Sequence, residues 1–310
     1  INPNHKNDGT YDWNDMIAYN QGNGGSDNFS NSMYFNTGNW TEDSLAWEEY
    51  TSDRWGENAP YDDTYSSTEI RSKYIIRASV NHHDWYGAIS TIKHQLNDNI
   101  KLTSGIDIRS YAGEHYREVV NLLGGDYFID IYGNKNDDTN NKKMKQVGDK
   151  IAYHNIGYNN WIGGFGQVEY STGQLSAFGS AAFSNTTYQR EDFHNYTPTE
   201  GQLSDKVSFP GSAIKVGANY NINDEMNVFA NVGALSVAPK FTNVYLNYVN
   251  DKNPNAKNES VTAVELGYGY RVSGLRLNAN YYNTKWMDKA MVKQSNNLIY
   301  NITGLNAVHS

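Results

Sequence analysis

Few residues in this 310-residue chain have types and spacings that suit chemistry, and each also has a plainer reading. His82-His83-Asp84 offers two imidazoles and a carboxylate, donors that suit a transition metal. No spacing of the His-Glu-x-x-His kind accompanies them. Lying just before Trp85, they are equally expected as the polar mouth of a strand. Asp62-Asp63 and Asp137-Asp138 supply hard oxygen ligands without EF-hand spacing. A structural calcium in these acidic loops therefore stands beside simple solvation. Glu48-Glu49 resembles a carboxylate pair, but neighbours on a strand point to opposite faces, whereas glycoside cleavage needs two carboxyls flanking one bond. No nucleophile elbow, phosphate loop or dinucleotide fingerprint occurs. The run Gly163-Gly164-Phe165-Gly166 reads as backbone crowding in a sheet. The expectation is a chain without catalytic residues, bound metal or cofactor. Candidate ligand contacts are the loop tryptophans Trp40, Trp47 and Trp55, whose rings could stack on a sugar or pack on one another.

The composition explains why chemistry is scarce. Hydrophobic residues make up 38% and charged residues only 19%, with a mean hydropathy of -0.73. That is thin for a globular core, yet not the charge-rich profile of a disordered chain. Asn, 27 Gly and 25 Tyr fill the difference, favouring turns and strands. The net charge of -9 argues against a nucleic-acid partner, which requires a basic face. Absence of Cys removes disulfides and thiolate sites. No run of about 18 apolar residues exists to form a membrane helix.

Position along the chain does the rest. Residues 1–83 show no sustained period and read as one long loop. From 84 to 287 apolar and polar residues alternate, as strands with two unlike faces require. Ile214, Val216, Ala218, Tyr220 and Ile222 oppose Lys215, Gly217, Asn219 and Asn221, and Val264, Leu266, Tyr268 and Tyr270 oppose Glu265, Gly267, Gly269 and Arg271. Ile100, Leu102, Ile106 and Ile108 oppose Lys101, Thr103, Asp107 and Arg109. About eight strands result, joined by tight turns at Asn97-Asp98-Asn99, Thr172-Gly173, Asn223-Asp224 and Ser273-Gly274. The remaining connections, near 113–158, 187–211, 237–260 and from 288 onward, are long and polar. Short turns alternating with long loops put all the long loops at one end. This is the pattern of an all-β, antiparallel transmembrane β-barrel with long extracellular loops. Trp85, Tyr86, Trp161, Tyr281 and Tyr282 fall near strand ends, where aromatic girdles sit. A soluble antiparallel sandwich is the alternative, but its strands average about 5–6 residues. Residues 288–310 read as a loop leading to a further strand.

Several passages are similar to one family. The run GEHYREVVNLLGGDYF (113–128), the hairpin 79–109, and the stretches 219–241 and 265–291 resemble TonB-dependent outer-membrane receptors of the Bacteroidota type. The entry Val237-Ala238-Pro239-Lys240-Phe241 resembles that family's loop starts. The resemblance implies part of a 22-stranded barrel, with a plug domain absent here. It also implies a nutrient transporter of the bacterial outer membrane that contacts lipid and lipopolysaccharide. TonB would engage it through a missing N-terminal segment, and a surface lipoprotein is a candidate partner. A passive porin or an adhesion barrel without energy coupling remains the competing reading.

Overall fold

Alternation in the sequence becomes a nine-stranded sheet. The structure, a computed structural model, describes residues 11–21, 61–295 and 298–309. The sheet contains β2 (Ile76–Asn97), β3 (Ile100–Asn121), β6 (Lys150–Thr172), β7 (Leu175–Asp192), β8 (Val207–Asn221), β9 (Met226–Val237), β10 (Glu259–Val272), β11 (Leu275–Ser295) and β12 (Leu298–His309). Their order is β2-β3-β6-β7-β8-β9-β10-β11-β12, so every strand pairs with its neighbours in the chain except where small elements interrupt β3 and β6. Pairings from β7 through β12 are antiparallel. The four expected turns are all present between consecutive strands. Asn97 Oδ1 accepts the amides of Asn99 and Ile100, and Asn223 Oδ1 accepts those of Glu225 and Met226. These side chains hydrogen-bond their own turn, the reason Asn recurs there. At Gly274 the turn demands a left-handed residue, φ +83°, which glycine adopts without steric cost.

Register carries the two faces across the strands. Val216 pairs with Val232, which pairs with Val264, and Ala218, Ala230 and Leu266 follow in the next row. One residue along, Gly217, Asn231 and Glu265 form a row on the opposite face, where Asn231 Nδ2 donates to Glu265 Oε2 at 3.1 Å. The apolar face is bare. Ile92 is 67% exposed, Ile214 54% and Leu266 49%.

Two expectations change. The first long strand begins at Ile76, not at 84, because Ile76, Ala78 and Val80 already alternate with Arg77, Ser79 and Asn81. Residues 288–310, expected as a loop, instead continue β11 to Ser295 and form β12. Register shifts flank Lys289, and Asp288 has φ +59°. A bulge of this kind changes which residues share a face, and a period-two reading loses the strand at that point.

The chain divides into two compact units. One comprises His83–Gly113, Ile156–Glu191 and Leu203–Ser310. Here the connection after β9 folds onto its own strands through α3 (Phe241–Val244). Tyr188, Val207, Phe209, Val244 and Tyr245 form its core, and Tyr188 Oη donates to Pro239 O at 2.8 Å. The Val237–Phe241 segment is a loop entry, as expected.

The other unit comprises Ile1–His82, Glu114–Asn155 and Asp192–Gln202. Its described part is more ordered than the long loop expected for 1–83. It holds α1 (Trp13–Asn20), β1 (Arg71–Ser72), β4 (Tyr127–Ile129), α2 (Asn140–Lys143) and β5 (Met144–Lys145), with β1-β4-β5 as a small sheet. Buried Asn20 fastens α1. Its Nδ2 donates to the carbonyls of Tyr74, Leu122 and Leu123, and its Oδ1 accepts the amides of Lys73 and Tyr74. Five backbone groups therefore depend on one side chain. Asn20→Ala would leave buried groups unpaired, each costing about 1–3 kcal/mol. Hydrogen exchange should show the Lys73 and Tyr74 amides exchanging faster by about tenfold or more, with the β9–β10 ladder unchanged.

Candidate functional site

The sequence candidates scatter rather than converge. The His82-His83-Asp84 triple is split by the alternation of its strand. His82 Nε2 hydrogen-bonds Tyr116 Oη at 3.1 Å, whereas His83 Nδ1 hydrogen-bonds Tyr111 Oη at 2.6 Å and stacks on that ring. Three of the four carboxylates considered for calcium pair with cations. Asp62 pairs with Arg71, Asp137 with Lys145 and Asp138 with Lys142. Among the described residues no group of three or more His, Cys, Asp or Glu is placed to hold a metal. Trp40, Trp47 and Trp55, like Glu48 and Glu49, lie outside the described residues.

What the sheet does assemble is an open cavity of about 700 Å³, a size typical of small-molecule sites. It lies within one unit, on the face that carries the polar rows. Trp85 comes from β2, Arg109 and Tyr111 from β3, and Trp161 and Phe165 from β6. Ser184, Thr186 and Tyr188 come from β7, Ala213 from β8, and Leu235 from β9. The aromatic residues are set by glycines. A Cβ on Gly163 would stand 2.5 Å from the Trp161 ring, and one on Gly105 would stand 2.6 Å from Phe165. The rings can lie along the sheet because no side chain occupies those positions, which accounts for part of the glycine run at 163–166. Trp85 meets Tyr111 edge to face at 6.2 Å.

Arg109 is the charged residue of this lining. Asp107, two positions earlier on the same strand and therefore on the same face, grips it with two hydrogen bonds, Nε to Oδ1 and Nη2 to Oδ2. The guanidinium also lies 5.2 Å from the Trp161 ring centre, within cation–π range. The cavity thus presents aromatic faces, hydroxyls and a paired charge. Bond-making chemistry has no nucleophile–base pair here, so the arrangement suits binding. Sequence reading had placed Trp85 and Trp161 in an outer girdle. Both instead share the polar face with Asp107 and Arg109, and Tyr86, one residue along from Trp85, points to the other face.

A second cluster belongs to the other unit. Glu114 Oε1 lies 2.7 Å from both Lys150 Nζ and His154 Nε2, while Lys150 Nζ lies 3.0 Å from that same ring nitrogen. His154 stacks on Phe193 at 4.3 Å and meets Tyr116 edge-on. Its Nε2 can accept from Lys150 or donate to Glu114, but not both at once. Burial first, and Lys150 next among the opposing charges, push the His154 pKa down against the upward pull of Glu114 and Asp192. The Lys150 hydrogen bond, chiefly, holds Glu114 below the usual carboxylate range. Both shifts have one sign. A depressed folded-state pKa gives stability that is complete above the unfolded value and is lost as pH falls through the folded value. Acidification from above the ordinary His value should therefore loosen the Phe193 contact, first through His154 and then through Glu114. His154→Gln should remove the earlier phase and keep the later one, as read by the exchange of the Phe193 amide, which donates to His154 O.

Comparison with known proteins places this architecture. No curated protein matches the chain in sequence. Among solved structures, the copper transporter OprC aligns over 75% of this chain and 34% of its own, at 14% identity and a TM-score of 0.54. The ferric yersiniabactin uptake receptor FyuA from Yersinia pestis aligns over 69% and 30%, at 13% identity and 0.42. The ferric-catecholate import receptor Fiu from E. coli K12 aligns over 75% and 34%, at 12% and 0.44. The chain spans about a third of the length of these proteins, and at such identities the likeness to OprC is one of fold. The model described as TonB dependent receptor-like, beta-barrel matches residues 1–307, and the chain belongs to that family.

Proposed function

We propose that this chain is barrel wall from an outer-membrane, TonB-dependent transporter that takes up a nutrient ligand, in a bacterium of the Bacteroidota type. The observation that carries the reading is the two-faced sheet. Large apolar side chains on one face, such as Ile92, Ile214 and Val232, remain half or more exposed, a surface that water penalises and lipid accepts. The opposite face carries Lys101–Glu169, Asn231–Glu265 and the Asp107–Arg109 pair, as a polar lumen requires. The connections after β3, β7 and β9 each leave the strand end opposite the tight turns, where capture of a ligand from outside would begin. Trp40, Trp47 and Trp55 are candidates for that capture. In this reading the plug and the TonB-contacting segment belong to sequence outside the chain, lipopolysaccharide covers the apolar face at its outer edge, and a surface lipoprotein is an admissible partner.

Val216→Arg or Leu266→Arg in the full-length protein should cost about 2–4 kcal/mol each if those positions sit near the bilayer midplane, and should sharply reduce the heat-modifiable barrel in outer-membrane fractions. Lys215→Ala, one residue away on the other face, should leave it near the wild-type amount. Release of the wild-type protein by alkaline carbonate would remove the membrane reading. Energy coupling is tested separately by binding of the TonB periplasmic domain to the full-length protein. Binding supports an active transporter, and its absence leaves a passive pore.

A further inference from the structure

The cavity's lining is unusual in its charge. Aromatic residues and hydroxyls surround a single cation, and that cation is already neutralised from behind. Asp107 is 8% exposed and takes both hydrogen bonds from one edge of the Arg109 guanidinium, while the Trp161 ring lies within 5.2 Å. An arginine meant for a carboxylate or phosphate would keep its paired N–H edge open for bidentate contact. Here Asp107 occupies the Nε–Nη2 edge, so what remains is the Nη1–Nη2 edge of a guanidinium whose charge is already balanced. The buried Asn159 Oδ1, also at the cavity, has no hydrogen-bond donor among the described residues. It offers an acceptor to a ligand hydroxyl or amide.

Resting on the uptake reading above, we propose that this cavity selects uncharged, ring-bearing, hydroxylated solutes, and that Asp107 sets the selectivity by cancelling Arg109. Trp85 and Trp161 supply flat apolar faces for a ring. Ser184, Thr186 and Asn159 supply hydrogen bonds to its substituents. An anionic ligand would meet the Asp107 carboxylate behind an arginine whose charge is already spent. Asp107 is therefore a specificity-determining residue that acts through Arg109 without touching the ligand.

Two probes that differ only in charge test this. Methylumbelliferyl glucoside is neutral, and methylumbelliferyl glucuronide carries a carboxylate on the same scaffold. Binding of each to the full-length protein in detergent is read by equilibrium dialysis. Wild type should bind the glucoside about tenfold more tightly than the glucuronide, a difference of about 1.4 kcal/mol. Asp107→Asn frees the guanidinium and should lose or invert that preference. Arg109→Gln leaves the carboxylate unpaired and should widen it, while the double variant should return close to the wild-type ratio. Trp161→Ala should weaken both probes by about tenfold without changing their ratio. Equal binding of the two probes by wild type, a ratio unmoved in Asp107→Asn, or no binding of either at millimolar concentration would overturn the proposal. If Asp107→Asn fails to give a heat-modifiable barrel, an unchanged ratio in Arg109→Gln overturns it instead. Binding in detergent needs neither TonB nor an energised membrane. A protein that discriminates the probes but never binds TonB would sink the transport reading alone, and the converse result would sink the selectivity alone.

Discussion

The antiparallel hydrogen-bond ladder is the constraint on which the rest depends. Because side chains alternate along a strand, register decides which face every residue occupies, and a slip of one residue exchanges the faces entirely. Val216, Val232 and Val264 share a row only because β8, β9 and β10 hold this register. The same register places Gly217, Asn231 and Glu265 one step away, on the face with the cavity. Lipid surface and ligand surface are thus two consequences of one pairing. The Asn turns at 97 and 223 fix where each pairing starts.

Glycine opposite an aromatic ring recurs on the polar face and gives that face its texture. Phe178 lies against Gly217 and Phe229 against Gly267, the direct partners in the ladder, and Phe165 covers Gly105. Rings in this arrangement cover backbone that would otherwise be open and stiffen weak glycine positions. They also leave the wall low and flat. Trp161 over Gly163 extends the pattern into the cavity, where a flat ring becomes a surface that a ligand can use. The device that compensates glycine in a strand and the device that binds are the same.

How much of this was legible in the sequence depended on distance along the chain. The hairpins could be read because their signals are local: alternation on either side of Asn223-Asp224 or Ser273-Gly274 is visible within a dozen residues. β12 was missed because the bulge at Asp288 breaks the period on which that reading relies. The Asn20 clasp was invisible, since its partners lie 53 to 103 positions away. The cavity was half legible. Asp107 and Arg109 were assigned to one face, but nothing local says that Trp85 and Trp161 join them across β2 and β6, and near strand ends both read as girdle residues. His82-His83-Asp84 failed as a unit for the converse reason. Adjacent residues on a strand are the least able to act together.

The central claim is that one face of β8 meets lipid and the other meets the aqueous lumen. The chain contains no Cys, so single spin-labelled positions can be introduced along 214–218 in the full-length protein without background labelling. Collision with lipid-soluble oxygen should be high for Ile214→Cys, Val216→Cys and Ala218→Cys and low for Lys215→Cys and Gly217→Cys, with the reverse order for a water-soluble nickel chelate. That period of two is the predicted result. Equal access of the nickel chelate to both sets would mean that the apolar face is wetted, and would contradict the account.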